Sequence, residues 1–430
     1  MMTYKTLTAF FLVIVSFVSC KRIENAPLPG SNNNHTTPLG PIVLQPLVIS
    51  GNHVTLNWTK LDSSQISSYC IVKCTDTMLE EYPYIDTIVV TNTLNSYVDS
   101  MPFDQYAQYF VIAKQPGINY GLWPVSNKQT CVKAGPNTIL MNPVNALYDK
   151  SSHYLYVFGT NNNIVLYDVF NKQILQQIST NATTMGHGDV GTYNGTRELY
   201  VPRYDGWIYI YDATTLSLID QVNVGGDLWD VTYNNGVLFV SALEGNVSSY
   251  SRQTKTQISQ KDIYLFAPRM KLIPGTNSKF WGLDEDNIVA FNISFDAMGN
   301  YDSTRQLSEN SHYVGAQTFA VYADGSGFIS GSKGNIFNSD LSFKSSLQSG
   351  NLTFTNFDLD DAGRVIYGAV YNNKIIQGYS MDNYQLSRTI NTQGYPFNIF
   401  YDNGSVICLS TFYPNQQDNN LNPYCRVDQY

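Results

Sequence analysis

The side chains with most chemistry to offer fall in the second half of the chain. His187, Asp189 and Asp230 are residue types that serve as general acid, general base or metal ligand, and Arg269 would neutralise an acidic group such as a uronate. Trp229 and Tyr395 are rings of the kind that stack on sugar faces or anchor protein interfaces, and His312, Asn356 and Asn398 add hydrogen-bonding groups. Together they make a binding site if the fold brings them to one concave surface. The competing reading is that they satisfy strand ends and ordered water. Catalysis is the lesser expectation. There are five histidines, of which His35, His53 and His153 fall in a tether, at a strand start and in a turn. No Gly-rich dinucleotide or phosphate loop and no GxSxG occurs. Asp284-Glu285-Asp286 and Asp358-Leu359-Asp360-Asp361 resemble calcium loops in composition but lack the glycine and distal glutamate. No catalytic residue, metal or cofactor is therefore assigned.

The elements that must position these residues repeat. Each unit opens with a strand that often ends in Tyr, passes a polar or Gly turn, and re-enters an apolar strand: Ala146-Leu147-Tyr148-Asp149 then Tyr154-Leu155-Tyr156-Val157, Gly191-Thr192-Tyr193-Asn194 then Glu198-Leu199-Tyr200-Val201, and Val231-Thr232-Tyr233-Asn234 then Val237-Leu238-Phe239-Val240. Looser copies bring the starts to seven, at 148, 193, 233, 273, 322, 359 and 401, spaced 45, 40, 40, 49, 37 and 42 residues apart. Units of about 40 residues with several strands each are the mark of propeller blades. The last unit lacks its outer strand, which Thr138-Ile139-Leu140-Met141 would supply, hiding the final sheet edge. This pattern resembles the YVTN-type seven-bladed propellers of secreted and surface proteins. The resemblance covers residues 137 to 430 and implies an architecture, not a ligand.

In such a propeller the innermost strands start at one face, around the mouth of a channel. Aligned on the tyrosine, the residues four and three before it are Val144/Asn145, Asp189/Val190, Trp229/Asp230, Arg269/Met270, Thr318/Phe319, Thr355/Asn356 and Phe397/Asn398. Incoming loops add His187, His312 and Tyr395. The expected ligand-binding set is accordingly His187, Asp189, Trp229, Asp230, Arg269, His312, Asn356, Tyr395 and Asn398.

Residues 41 to 133 alternate apolar and polar positions in short runs, as half-buried strands do. Trp58, Tyr69-Cys70-Ile71, Tyr109-Phe110-Val111-Ile112-Ala113 and the segment Gly121 to Asn127 together resemble a fibronectin type III domain, which implies a sandwich serving as a spacer or adhesive module. The fold class expected is all-β, a fibronectin type III-like sandwich at 41–133 followed by a seven-bladed β-propeller at 134–430.

At the N-terminus Lys5 precedes an apolar run from Leu7 to Val18 that ends at Ser19-Cys20. The run is too short to span a bilayer, which takes about 20 residues, and reads as a signal peptide over 1–19. Small residues directly before a cysteine resemble a bacterial lipoprotein signal, which implies lipidation of Cys20; Phe17 stands where such signals usually carry Leu. Residues 20–40 are rich in Pro, Asn, Gly and Thr and form a tether. Cleavage would remove Lys5 and no acid, leaving 24 basic against 34 acidic side chains. An acidic chain without a Lys/Arg cluster has no footprint for nucleic acid. Five cysteines would remain, and export permits disulfides. Cys70 and Cys74 are too far apart along one strand to bridge; Cys408 could pair with Cys425, or Cys74 with Cys131.

The expectation is an outer-membrane, lipid-anchored envelope protein, surface-exposed or periplasmic. It would touch the membrane through its lipid alone and bind a glycan or protein partner without catalysis. A structural subunit of an outer-membrane assembly and a carbohydrate-active lyase or hydrolase acting at the channel mouth are the alternatives.

Overall fold

The computed structural model of the chain describes residues 39–51, 53–74, 86–100, 106–119, 122–132, 135–180, 184–284, 289–309, 314–412 and 424–430. The signal peptide, Cys20, nearly all of the tether and His312 lie outside the described residues. The fold is all-β, with 59% of the described residues in strands, in antiparallel sheets whose architecture is compatible with a β-propeller or sandwich.

Between Val48 and Val132 a three-stranded sheet (Val48–Ser50, His53–Asn57, Ser96–Asp99) faces a four-stranded one (Asp86–Thr91, Ser68–Cys74, Tyr106–Lys114, Gln129–Val132). Period-2 alternation puts Val54 and Leu56 from the first sheet and Tyr69, Ile71, Tyr109 and Val111 from the second into one shared core. Trp58 meets Tyr69 edge-to-face at 5.4 Å between ring centres.

Seven four-stranded sheets follow, numbered 1 to 7 here in chain order. Their first strands are Pro143–Asp149, Asp189–Tyr193, Leu228–Asn234, Arg269–Leu272, Ala320–Val321, Phe354–Asp360 and Tyr395–Asp402. Sheets 1 to 6 are runs of consecutive strands. Sheet 7 takes its fourth strand, Thr138–Ile139, from ahead of sheet 1, paired with Cys425–Gln429 as the sequence pattern anticipates. Two-residue turns close several hairpins. Asn194-Gly195, Asn235-Gly236 and Asn403-Gly404 all have positive φ at both positions, the twist that matches paired strands and that Asn and Gly tolerate.

Burial shows how the sheets pack. Second strands such as Tyr154–Gly159 and Val237–Ala242 are buried nearly throughout, whereas the fourth strand of sheet 1, Gln173–Ser179, is mostly exposed. A strand covered on both faces reads as a continuous apolar run rather than an alternating one. Seven separate apolar clusters do the covering, each formed by two successive sheets. Phe158 packs with Leu199, Tyr200 with Leu238, Phe239 with Phe280, Trp281 with Phe328, Ile329 with Ile366 and Ile376 with Val406. The seventh cluster joins Ile407 and Leu409 of sheet 7 to Leu155 and Val157 of sheet 1, so the packing order is cyclic.

The anticipated disulfides are not formed: Cys74, Cys131, Cys408 and Cys425 all carry free thiols. Cys408 pairs opposite Asp428 and Cys425 opposite Thr411, three positions apart on neighbouring strands. An odd offset puts two side chains on opposite faces of a sheet, and the two residues accordingly belong to different core clusters. Cys74 lies opposite Gln108 and Cys131 opposite Ala107. They too belong to the two different faces of their sheet.

Candidate functional site

A first strand is an edge strand, and its outward N–H groups need acceptors from elsewhere. Side chains of the preceding sheet supply them. Asp189 Oδ2 accepts from Tyr233 N at 2.8 Å, Asp230 Oδ2 from Met270 N at 2.8 Å, Asn356 Oδ1 from Ile399 N at 3.1 Å and Asp358 Oδ2 from Tyr401 N at 2.6 Å. The hydroxyls of Thr232 and Thr355 donate to the carbonyls of Met270 and Pro396. Asp189, Asp230 and Asn356, taken from the sequence as ligand groups, thus stitch neighbouring first strands together. Asn398 stands where Asn356 does, one sheet on, but the N–H it would reach, that of Ala146, is already taken by Asn145 Oδ1 at 2.8 Å. Asn398 Oδ1 is left buried without a partner among the described residues.

The first strands also carry a recurring irregularity. In sheets 1, 3, 6 and 7 the pairing to the second strand skips one residue: Val144, Trp229, Thr355 and Phe397 each stand unmatched between paired neighbours. All four lie four residues before the repeat's alignment position. A β-bulge re-aims side chains and frequently marks a site, and here it occurs where the strands begin.

Trp229 is the most prominent product of that bulge. Its ring contacts His187 edge-to-face at 5.2 Å and Tyr204 at 6.1 Å. His187 and Asp230 are bridged in parallel through their backbones, His187 N donating to Trp229 O and Val231 N to His187 O. Gly186 is required at this approach because a Cβ would lie 2.2 Å from Trp229 O. The loop pairing sets a different level from the repeat alignment. His187 lies opposite Asp230, where the alignment puts Val190, and Asp189, aligned with Trp229, sits beside Tyr233. His187 Nδ1 and Trp229 Nε1 are both buried without a partner among the described residues.

Charges from five first strands, or the turns that end them, meet here. The Lys271 ammonium is pushed down to about 8 by burial and by Arg269, against the opposing pull of Asp358, Asp230 and Asp189. Burial raises Asp230 to about 7, partly offset by Arg269 and the Met270 N–H. Asp189 and Asp358 are raised for the same reason. Lys150, in the turn after the first strand of sheet 1, approaches Asp358 at 3.9 Å. His187 is held well below its ordinary value by burial and the nearby Arg269 and Lys271, so it is neutral. Arg269 Nη1 reaches Ala316 O at 3.3 Å. Tyr395 is buried in the wall with Lys374 over its ring at 5.1 Å, away from the cluster around Trp229. Lys271 and Asp358 were missed as site residues. Lys271 reads as part of a strand and Asp358 as part of a turn, and only their alternation with Met270, Leu272, Phe357 and Leu359 marks them as facing away from the core.

On the same side as Trp229 a cleft of about 410 Å3 opens between the turn before the first strand of sheet 3 and that sheet's outer strands. Asp227, Asn246, Ser248, Gln257 and Gln260 line it with uncharged amide and hydroxyl groups and one carboxylate. Among the described residues no three His, Cys, Asp or Glu side chains converge to hold a metal ion. No protein-family model matches the chain, and no curated protein matches it.

Proposed function

We propose that the chain is a cell-envelope lipoprotein anchored through Cys20, in which a fibronectin type III-like spacer carries a seven-bladed β-propeller that binds a glycan or an envelope protein without catalysis. The three-plus-four strand order of residues 48–132 around Trp58 and Tyr69 fits the spacer. Seven sheets whose cores follow one another in cyclic order fit the propeller. The observation that carries the binding reading is the bulge that turns Trp229 out of the strand ladder beside two buried polar atoms, its own Nε1 and His187 Nδ1, that no group among the described residues satisfies. Buried donors and acceptors are paired as a rule, and a ligand would pair these. The acids nearby are committed to main-chain N–H groups, which argues against acid–base work. The amide-lined cleft on that side favours a glycan, since sugar hydroxyls both donate and accept.

The test is native electrophoresis in gels containing envelope polysaccharides, with the full chain and Trp229→Ala. The full chain should be retarded without shortening the polymer. Trp229→Ala should lose the retardation while unfolding within about 1.5 kcal/mol of the parent, below the about 3–5 kcal/mol expected of a fully buried Trp. Retardation that survives the substitution would refute this site, and new reducing ends would mean an enzyme. For the anchor, Cys20→Ser should move the protein from the detergent to the aqueous phase; unchanged retention would refute lipidation.

A further inference from the structure

Three of the five repeat tyrosines share one task. Tyr148 donates its hydroxyl to Asp402 Oδ2 at 2.8 Å, Tyr233 to Thr192 O at 2.8 Å, and Tyr401 shares a hydrogen bond with Asp360. Each time the partner belongs to the sheet that precedes it in the cyclic order. Tyr193, which lies under the Arg252 guanidinium at 5.0 Å, and Tyr322, at the same position in sheet 5, depart from it. Tyr322 is 8% exposed, its ring lies in the core between sheets 5 and 6, and its buried hydroxyl has no partner among the described residues. Burial raises the hydroxyl well above its ordinary value, with the charges of Asp324 and Asp361 adding to the effect.

That tyrosine lines a cleft of about 400 Å3 at the ends of the first strands, the far side of the seven-sheet unit from Trp229. Asp324, Lys344, Asp361, Arg364 and Tyr384 complete its wall. The volume lies toward the lower end of small-molecule sites, about 300–1,000 Å3. Turn N–H groups hold both carboxylates: Asp324 Oδ1 accepts from Ser326 N at 2.9 Å and Asp361 Oδ1 from Ala323 N at 3.2 Å. Arg364 Nε donates to Asp382 at 2.8 Å, and Lys344 Nζ stands 5.9 Å from the centre of the Tyr384 ring.

We propose that this cleft is a second binding site, specific for one ring of a neutral sugar. Two carboxylates face two cations, so a ligand of either net charge meets a like charge. A polyol meets acceptors in Asp324 and Asp361, donors in Lys344 and Arg364, and in Tyr322 a hydroxyl that does both. The partly exposed Tyr384 ring offers apolar surface to the C–H face of the sugar. This site is independent of the one around Trp229 and stands whether or not that one binds a glycan.

The experiment is saturation-transfer NMR and calorimetry on the full chain with maltotetraose, mannotetraose and xylotetraose, and with trigalacturonate as the acidic counterpart. At least one neutral tetrasaccharide should bind with a Kd of about 1 mM or tighter, and trigalacturonate more weakly. Tyr322→Phe should weaken binding about tenfold, the worth of one hydrogen bond, while the melting temperature stays level or rises, because the replacement removes an unpaired buried hydroxyl. Tyr384→Asn, chosen because φ at 384 is +58° and Asn tolerates that region, should abolish binding. Trp229→Ala should leave it unchanged. Binding of none of the neutral sugars, preference for trigalacturonate, or binding indifferent to both Tyr322→Phe and Tyr384→Asn would overturn the proposal. So would a lowered melting temperature in Tyr322→Phe, since that would make the hydroxyl structural.

Discussion

Two regions of the molecule bury charge in opposite ways. In the two sheets of residues 48–132, Lys73 Nζ sits 2.7 Å from Asp99 Oδ2, both side chains under a tenth exposed, and Tyr109 donates its hydroxyl to the same carboxylate at 2.6 Å. That is a closed unit in which each charge has its counter-charge. Where the seven first strands converge, Asp189, Asp230 and Asp358 lie within electrostatic reach of Lys271, yet the hydrogen bonds that fix them go to backbone N–H groups of the next sheet. The first arrangement rivets two sheets. The second satisfies strand edges; burial raises these carboxylates, and the neutral N–H groups offset that only in part.

The largest effect should follow from breaking the rivet. Lys73→Met removes the cation 2.7 Å from the buried Asp99 carboxylate, and removing one partner of a buried pair costs about 3–5 kcal/mol. Urea unfolding followed by tryptophan fluorescence would measure it; a loss under 1 kcal/mol would mean that the pair does not rivet the two sheets. Next comes the cyclic closure. A chain beginning at Asn142 lacks Thr138–Ile139 and with it Ile139 and Met141, both core residues. Compared with one beginning at Lys133 it should lose at least the about 2–5 kcal/mol of a large core truncation. Equal melting temperatures would show that the last sheet closes without its borrowed strand.

The convergent charges should announce themselves in pH dependence. Asp230 has a folded value of about 7 against an unfolded value near 3.8. The folded state therefore holds the proton more tightly, and stability is full below about pH 4 and lost as pH rises through 7. Each pKa unit corresponds to roughly 1.4 kcal/mol. Asp189 and Asp358, also raised, add to the same slope. Asp230→Asn keeps an oxygen for Met270 N and removes the titration. It should flatten the decline between pH 4 and 7 and raise stability at pH 8 by about 1–3 kcal/mol. A slope unchanged by the substitution would place the titration elsewhere.

Much of this fold was legible because its signals are local. Tyr148, Tyr193, Tyr233 and Tyr401 mark first strands at intervals of about 40 residues, Asn-Gly pairs mark hairpins, and the unpaired Thr138-Ile139 could be matched to a missing strand by counting. The failures share one cause, which is register. Asp189 was aligned with Trp229, but the loop through His187 pairs in parallel with Trp229–Val231 and takes that level itself. Cys408 and Cys425 sit on adjacent strands as expected, yet the long connection between them hides whether they share a face, and a slip of one residue reverses the answer. The bulges were equally invisible, since an extra residue in an edge strand changes no composition. They decide where Trp229 points.

The smallest effect tests the stitching itself. Asn356 is half-buried, and its Oδ1 accepts the Ile399 N–H at 3.1 Å. Asn356→Ala deletes the acceptor without adding bulk. The orphaned N–H lies beside a space that Lys150 enters from an exposed position near Asp358, so water can reach that neighbourhood, and the cost should be about 1 kcal/mol, toward the lower end of the about 1–3 for a stranded buried group. Amide exchange at Ile399 should rise while exchange at Leu409, opposite Asn398 within sheet 7, stays protected. If Asn356→Ala costs as much as Lys73→Met, the first strands are held as rigidly as the Lys73–Asp99 rivet, and the contrast between the two regions fails.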